Sequence, residues 1–257
     1  MTGPVIVLSY AYAGADRVQE ALAIGGELAC TSGTGIIPLC ASTADTWRRI
    51  ENSRGTGLSS LAAAAIRGQV TAQVAVVLAR SGQTRWCELA ATSPGAAETF
   101  LELFPHARFV CAHRHCLEVI RAAVYASPWG LHGQGLAPYL LTYPGNSVAA
   151  MAAYWANSAE ELIAFERAHQ QVAYRLRYED TTAQPDQALA AVRAALGLVN
   201  APPARTYPVR SERLAEPAAP AAEPRTEVPT ELIPEPLLQR ISRLHTELGY
   251  PSIQGSG

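Results

Sequence analysis

Near the amino terminus, Val5-Ile6-Val7-Leu8 is an unbroken apolar run led by β-branched residues. A strand with one wet face alternates apolar and polar side chains. A run without alternation suits a strand covered on both faces, and hence a parallel sheet with helices above and below it. The small-residue turn Ser9-Tyr10-Ala11-Tyr12-Ala13-Gly14 follows, then a helical pattern from about Asp16 to Ile24 that stops at Gly25-Gly26. Strand, glycine-bearing turn and helix is how many nucleotide-binding α/β folds begin. With 257 residues, 49% of them hydrophobic and 16% charged, the chain can bury a core of useful size.

The same alternation continues. A second buried strand is expected at Val74–Leu78 and a third at Arg108-Phe109-Val110-Cys111-Ala112. The third lies between a helix at Ala96–Leu103, with its turn Phe104-Pro105-His106, and another helix at about Leu117–Tyr125. Pro144-Gly145-Asn146 opens a long helix reaching about His169. A strand at Ala173–Tyr178 comes next, then a helix from Gln184-Pro185-Asp186 to Leu196, closed by Gly197. Alternating β and α elements predict an α/β fold with a parallel sheet flanked by helices over residues 1–200.

The tail differs: nine of the 18 prolines lie between Pro202 and Pro236, so residues 201–229 read as an extended linker. Residues 230–257 hold a last helix begun by Pro236. Its apolar stripe is Leu237, Leu238, Ile241, Leu244 and Leu248, and it is stopped by Gly249 and Pro251. Such a stripe must dock. Its own domain is preferred to a second subunit, and a homo-oligomer stays open.

Twenty basic residues face 22 acidic ones, for a net charge of −2, so no global footprint for nucleic acid or an anionic membrane exists. All the basic residues are Arg; without Lys, Schiff-base chemistry and a Walker lysine are excluded. The five cysteines (Cys30, Cys40, Cys87, Cys111, Cys116) form no CxxC pair and read as buried thiols of a reducing compartment. The start MTGPVIVLSY lacks a signal peptide's basic region, and no stretch is expected to supply the roughly 20 apolar residues of a membrane span, the Ala-rich run 61–66 being too short. A cytoplasmic protein is the expectation.

Four segments, taken in order, resemble the sulfotransferase family: VIVLSYAYAGADRVQEAL, RWCELAATSPGAAETFLELFPHARF, FPHARFVCAHRHCLEVIRAA and LRYEDTTAQPDQALAAVRAALGL, with LLQRISRLHTELGYP similar to the family's last helix. The phrases Ser127–Leu131 (SPWGL) and Pro144–Ala150 (PGNSVAA) resemble actinobacterial-type members. The resemblance implies a P-loop-like sheet and transfer of a sulfuryl group from 3′-phosphoadenosine 5′-phosphosulfate (PAPS) to a hydroxyl of a small-molecule acceptor, a specialised metabolite. Such a transfer needs in-line positioning, cations for the developing charge and a base.

By the same resemblance, Gly14 would serve the 5′-phosphosulfate and Arg114 the 3′-phosphate; Arg17, off the position of the family cation, could reach back to the former, and Arg121, beside the position of the family Ser, could join Arg114. Glu88 would be the base, with His113 and His115 behind it and His132 as another candidate. The family loop usually carries Arg or Lys, Ser, Gly and two Thr; in Tyr12-Ala13-Gly14-Ala15-Asp16 only Gly14 matches. The family Lys is Leu89 here and the family Ser is Ala122. These departures raise an alternative, a sulfotransferase fold that has lost PAPS and performs a cyclisation or hydrolysis, or serves as a non-catalytic binding partner. Cys30-Thr31-Ser32-Gly33-Thr34-Gly35 is a second anion nest, an acceptor-pocket wall or a plain turn. Arg114 could equally pair with Glu118 four residues on. Cys111, His113, His115 and Cys116 are too strained a set for zinc, so no metal is expected. Tyr178-Glu179-Asp180 reads as a structural corner, and Trp86, Trp129, Tyr139 and Tyr143 as core or acceptor-pocket aromatics.

Overall fold

The structure, a computed structural model, describes residues 3–51, 57–90, 94–126, 135–198 and 227–251. Its strands are β1 (Val5–Leu8), β2 (Leu28–Ser32), β3 (Arg85–Ala90), β4 (Arg108–His113) and β5 (Ala173–Arg177). They form one sheet in the order β2-β3-β1-β4-β5, every pairing parallel. The helices are α1 (Ala15–Ala23), α2 (Ile36–Ile50), α3 (Ser60–Ser81), α4 (Pro94–Leu103), α5 (Cys116–Ala126), α6 (Ala137–Thr142), α7 (Ser147–Ala168), α8 (Tyr178–Ala183), α9 (Pro185–Leu196) and α10 (Glu235–Leu248).

β1 is central, and its four side chains are all buried, as the unbroken apolar run predicts. Successive residues feed opposite layers. Ile6 and Leu8 join Phe109, Ile37, Phe100, Trp155 and Phe165 on the face covered by α2, α4 and α7. Val5 and Val7 join Val110, Leu176, Val18, Leu22, Leu189 and Val192 on the face covered by α1 and α9. Because all strands run parallel, the loops after β1, β2, β3 and β4 gather along one edge of the sheet, where ligands bind in open α/β folds.

Two expectations are corrected. Val74–Leu78 is not a strand but the last third of α3, one helix with the Ala-rich run before it. A short apolar run does not separate helix from strand, and its Ala, Gln and Leu neighbours favour the helix. The second strand in sequence is β2, whose burial fades from Leu28 toward Ser32 at the sheet margin. The length expectation for apolar stretches fails at the same place: α3 is long and apolar enough, by length and composition, to cross a membrane.

The linker up to residue 226 lies outside the described residues. The helix beyond it packs on α7 of the same chain, with Leu237, Ile241, Leu244 and Leu248 buried. Arg240 seals the contact through Glu160 and Asn157 of α7. Further along α10, the fully buried His245 accepts the Cys116 N–H on Nε2 (3.3 Å) and donates from Nδ1 to the Pro251 carbonyl (3.1 Å). That pattern requires a neutral ring. Burial, then the neighbouring His115, pushes its pKa down to about 4. The unfolded chain takes up the proton near pH 6.5, so the stability tied to neutral His245 is complete above that pH and is lost as pH falls through about 4. The total is roughly 3 kcal/mol. Urea midpoints measured from pH 7.5 to 4 should therefore fall more steeply for wild type than for His245→Gln, whose amide can keep both hydrogen bonds. Parallel declines would refute the assignment.

Candidate functional site

The loop Ser9–Gly14, between β1 and α1, holds the central position on the strand-end edge. Its backbone turns through two left-handed residues, Tyr12 (φ 64°) and Gly14 (φ 72°). Internal bonds fix it: the Tyr154 hydroxyl accepts the Ala11 N–H (2.9 Å), and Ser9 Oγ donates to the Ala112 carbonyl (3.2 Å). The Tyr10 hydroxyl accepts the Arg114 N–H (3.1 Å) and donates to the Arg114 carbonyl (3.2 Å), which also receives the Trp155 indole N–H (2.9 Å). Burial raises the Tyr10 pKa strongly, so this hydroxyl stays a phenol.

Arg114, just past β4, is 5% exposed. Its Nη1 donates to the Tyr12 carbonyl (3.1 Å), and its guanidinium lies 4.5 Å above the Tyr178 ring centroid. That ring also lies against Gly14, where an added Cβ would stand 2.5 Å from the Tyr178 carbons Cδ2 and Cε2. Gly14, Tyr178 and Arg114 thus form a closed stack. Gly14 has a structural reason to be glycine twice over, in its positive φ and in the ring lying against it.

The adjoining start of α5 is also filled from within. The His115 N–H donates to Glu179 Oε1 (2.9 Å), Tyr250 donates to Glu179 Oε2 (3.0 Å), and the Cys116 N–H goes to His245. Burial lowers the His115 pKa, and its ring packs 4.3 Å from that of His245. Backbone donors that could otherwise receive an anion are occupied by a carboxylate and an imidazole.

The remaining expected site residues stand apart. Glu88, on β3, is 2% exposed and faces the loop between β2 and α2. Its Oε2 accepts Thr31 Oγ1 (2.5 Å), and its Oε1 accepts the Thr34 N–H (2.9 Å) and Thr34 Oγ1 (2.7 Å). Trp86 Nε1 completes the cluster on Thr31 Oγ1 (2.7 Å). Burial pushes the Glu88 carboxyl up, against the pull of the Thr31 and Thr34 bonds. The run Thr31–Gly35 is accordingly the end of β2 and a turn built around a buried carboxylate. Its Gly33 and Gly35 lie in the left-handed region with open space around them.

His113 ends β4 at 0% exposure, its Nε2–H bonded to Glu166 Oε1 (2.9 Å). Burial raises the Glu166 pKa, but the bonds from His113 and Arg175 outweigh it and hold the carboxyl below its usual range. Arg121 is paired with Glu118, the residue expected as a partner for Arg114. Arg17 is exposed on α1. Of the expected residues, the structure brings Gly14 and Arg114 together, and leaves Glu88, His113, Arg17 and Arg121 outside their stack. Tyr178, His245 and Tyr250 are the members that sequence reasoning did not assign to the site. Tyr139 packs on Tyr154, and Trp86 is core. His132, Trp129 and Ser127–Leu131 lie outside the described residues. Among the described residues no group of three or more His, Cys, Asp or Glu is placed to hold a metal.

PAPS fits this arrangement poorly. The Tyr12–Asp16 turn offers no hydroxyl or cation of the family type, and the crevice between Gly14 and Arg114 is occupied by the Tyr178 ring. The Glu88 geometry makes its own prediction. If the carboxylate is a structural tie, Glu88→Gln keeps it, because the amide oxygen can accept from Thr34 and the amide N–H can donate to Thr31. Glu88→Ala strands those donors and should cost about 2–4 kcal/mol in denaturant unfolding. Equal losses in both variants would contradict the tie.

Comparison with known proteins agrees with the fold. Residues 39–202, more than half of the chain, match the Sulfotransferase family, a match that begins after both Tyr12–Asp16 and Thr31–Gly35. Among solved structures, the sulfotransferase domain from the curacin biosynthetic pathway superposes with a TM-score of 0.59 at 16% identity, over 98% of this chain and 99% of that one. A sulfotransferase from Alicyclobacillus acidocaldarius gives 0.55 at 10% identity, over 98% and 97%. No curated protein matches the sequence. With its parallel five-stranded sheet, flanking helices and ordered motifs, the chain belongs to the sulfotransferase family, a family of transferases.

Proposed function

We propose that this protein handles a small molecule in a biosynthetic pathway on a sulfotransferase scaffold whose PAPS crevice is shut by its own side chains. The observation carrying this reading is the stack of Gly14, Tyr178 and Arg114, with the guanidinium turned onto the Tyr12 carbonyl. A phosphosulfate needs cationic and hydroxyl partners that reach it as charge develops on the bridging oxygen. Arg114 is engaged inside the stack, the turn has only Asp16 as a charged member, and Glu88 and His113 are buried in bonds of their own. The small-molecule setting is supported by the curacin-pathway domain that shares the fold. A cytoplasmic location accords with five cysteines that are all unpaired thiols.

Sulfuryl transfer from PAPS to an acceptor hydroxyl is the second reading. It is favoured by family membership and by an Arg directly after β4. It requires Tyr178 and Arg114 to swing out together.

Calorimetric titration with the product nucleotide PAP, alongside the mass of products from candidate acceptors, separates the two. The closed-crevice reading expects no PAP heat in wild type, and a cyclised, hydrolysed or unchanged metabolite. Stoichiometric PAP binding that Arg114→Ala weakens by tenfold or more, together with a PAPS-dependent gain of one SO₃, would replace it with the second.

A further inference from the structure

Cys30 and Cys87 are direct register partners on the parallel pair β2 and β3. They lie on the sheet face covered by α1, opposite the Glu88 cluster, and the neighbouring Cys30 thiol, then burial, raises the Cys87 pKa well above the ordinary thiol value. Gln19 of α1 lies across the pair, its Nε2 3.8 Å from Cys87 Sγ and 2.8 Å from the Thr31 carbonyl. The two thiols differ in access. Cys30 is half-buried, whereas Cys87, like Cys40, Cys111 and Cys116, is buried. Burial pushes Cys40 up to about 11 and Cys111 and Cys116 well above the ordinary thiol value, so those three are poor nucleophiles at neutral pH. One accessible thiol thus has a second cysteine directly opposite it in register, and the other three cysteines are sealed away.

We propose that Cys30 and Cys87 form a reversible oxidation site for hydroperoxides, with Cys30 reacting first and Cys87 resolving it. The Cys30 thiolate attacks the peroxide. An S–O bond forms as the O–O bond breaks, and the released alkoxide or hydroxide takes up the proton that Cys30 gave up, leaving a sulfenic acid. The Cys87 sulfur, losing its proton, then attacks the Cys30 sulfur. An S–S bond forms, the S–O bond breaks, and water leaves with that proton. The two sulfurs together lose two electrons and the peroxide gains them. A buried resolving thiol is a weak nucleophile, an effect that its fixed position beside the sulfenic sulfur offsets.

The sheet sets the character of the product. Neighbouring strands lie about 4.7–4.9 Å apart, at the short end of the Cα separations that disulfides span. That separation lies within the ordinary disulfide range, so the two strands can be bridged where they stand. The next register pair is Thr31 and Glu88, so the linkage would clamp the strands at the root of the Glu88 cluster.

The test uses the full chain, treated with hydrogen peroxide at a few equivalents, alkylated, and mapped by non-reducing mass spectrometry. With Arg the sole tryptic site, Cys30 falls in the peptide 18–48, shared with Cys40, and Cys87 in 86–108; fragmentation distinguishes Cys30 from Cys40. The expected result is a linked 18–48/86–108 pair bridged through Cys30, lost on treatment with dithiothreitol. In Cys87→Ser, Cys30 should be trapped by dimedone as the sulfenic acid; in Cys30→Ser, Cys87 should stay alkylatable. Wild type in which Cys30 advances to the sulfinic acid with Cys87 still alkylatable, in which the link runs through Cys40, or in which no thiol reacts, overturns the proposal. The wild-type map decides this without relying on a variant that folds.

Discussion

The peptide unit of Arg114 is the point on which the strand-end edge of the sheet is built. Its N–H and carbonyl are clamped by the Tyr10 hydroxyl, its carbonyl a second time by the Trp155 indole, and its side chain returns to the Tyr12 carbonyl. Three elements are thereby tied: the loop after β1, the end of β4, and α7. The bonds to the Arg114 peptide unit are buried, so leaving any one of those groups unpaired carries the full desolvation penalty of a polar group. Held this way, the guanidinium acts as a lid on Tyr178, whereas in a phosphate site it would be a cation waiting for an anion.

The same economy appears at the neighbouring helix start. The start of α5 has orphan N–H groups that attract negative charge. Glu179 from α8 takes one, and His245 from α10 takes another, with Tyr250 bonding the far oxygen of Glu179. The terminal helix is therefore more than an apolar cover for α7, because it brings polar groups into the edge where a ligand would be sought. A chain that satisfies its strand-end donors with its own side chains leaves fewer for a bound anion.

The layers of the fold were legible because they depend on local pattern. Val5–Leu8 read as a doubly covered strand because a glycine-bearing turn and a helix follow it, and the stripe from Leu237 to Leu248 read as a docked helix because it keeps a helical period. Val74–Leu78 misled because five apolar residues carry no period of their own, and the helix was decided by the residues on either side. β2 gave little signal because a marginal strand of mixed burial does not need an apolar run. For the site, Arg114 and Gly14 were legible as neighbours. The identity of what lies between them was not, since Tyr178 is 64 positions from Arg114 and only the packing of β5 beside β4 brings it there.

Glu88 shows why residue type alone overstated catalytic readiness. A carboxylate at the end of a parallel strand has the right address for a base, and burial does raise its pKa. A base must also offer a lone pair to substrate, and the lone pairs of Glu88 are directed at Thr31 and Thr34. His113 repeats the lesson on β4, its Nε2–H committed to Glu166, which is in turn held by Arg175. In both cases the chemistry that makes the residue suspicious in sequence, a polar group in an apolar setting, is the chemistry that obliges the fold to satisfy it internally. The Tyr178 ring and the Arg114 guanidinium follow the same rule: they pack on each other, the guanidinium is turned onto the Tyr12 carbonyl, and the crevice beside Gly14 is filled by the chain's own groups.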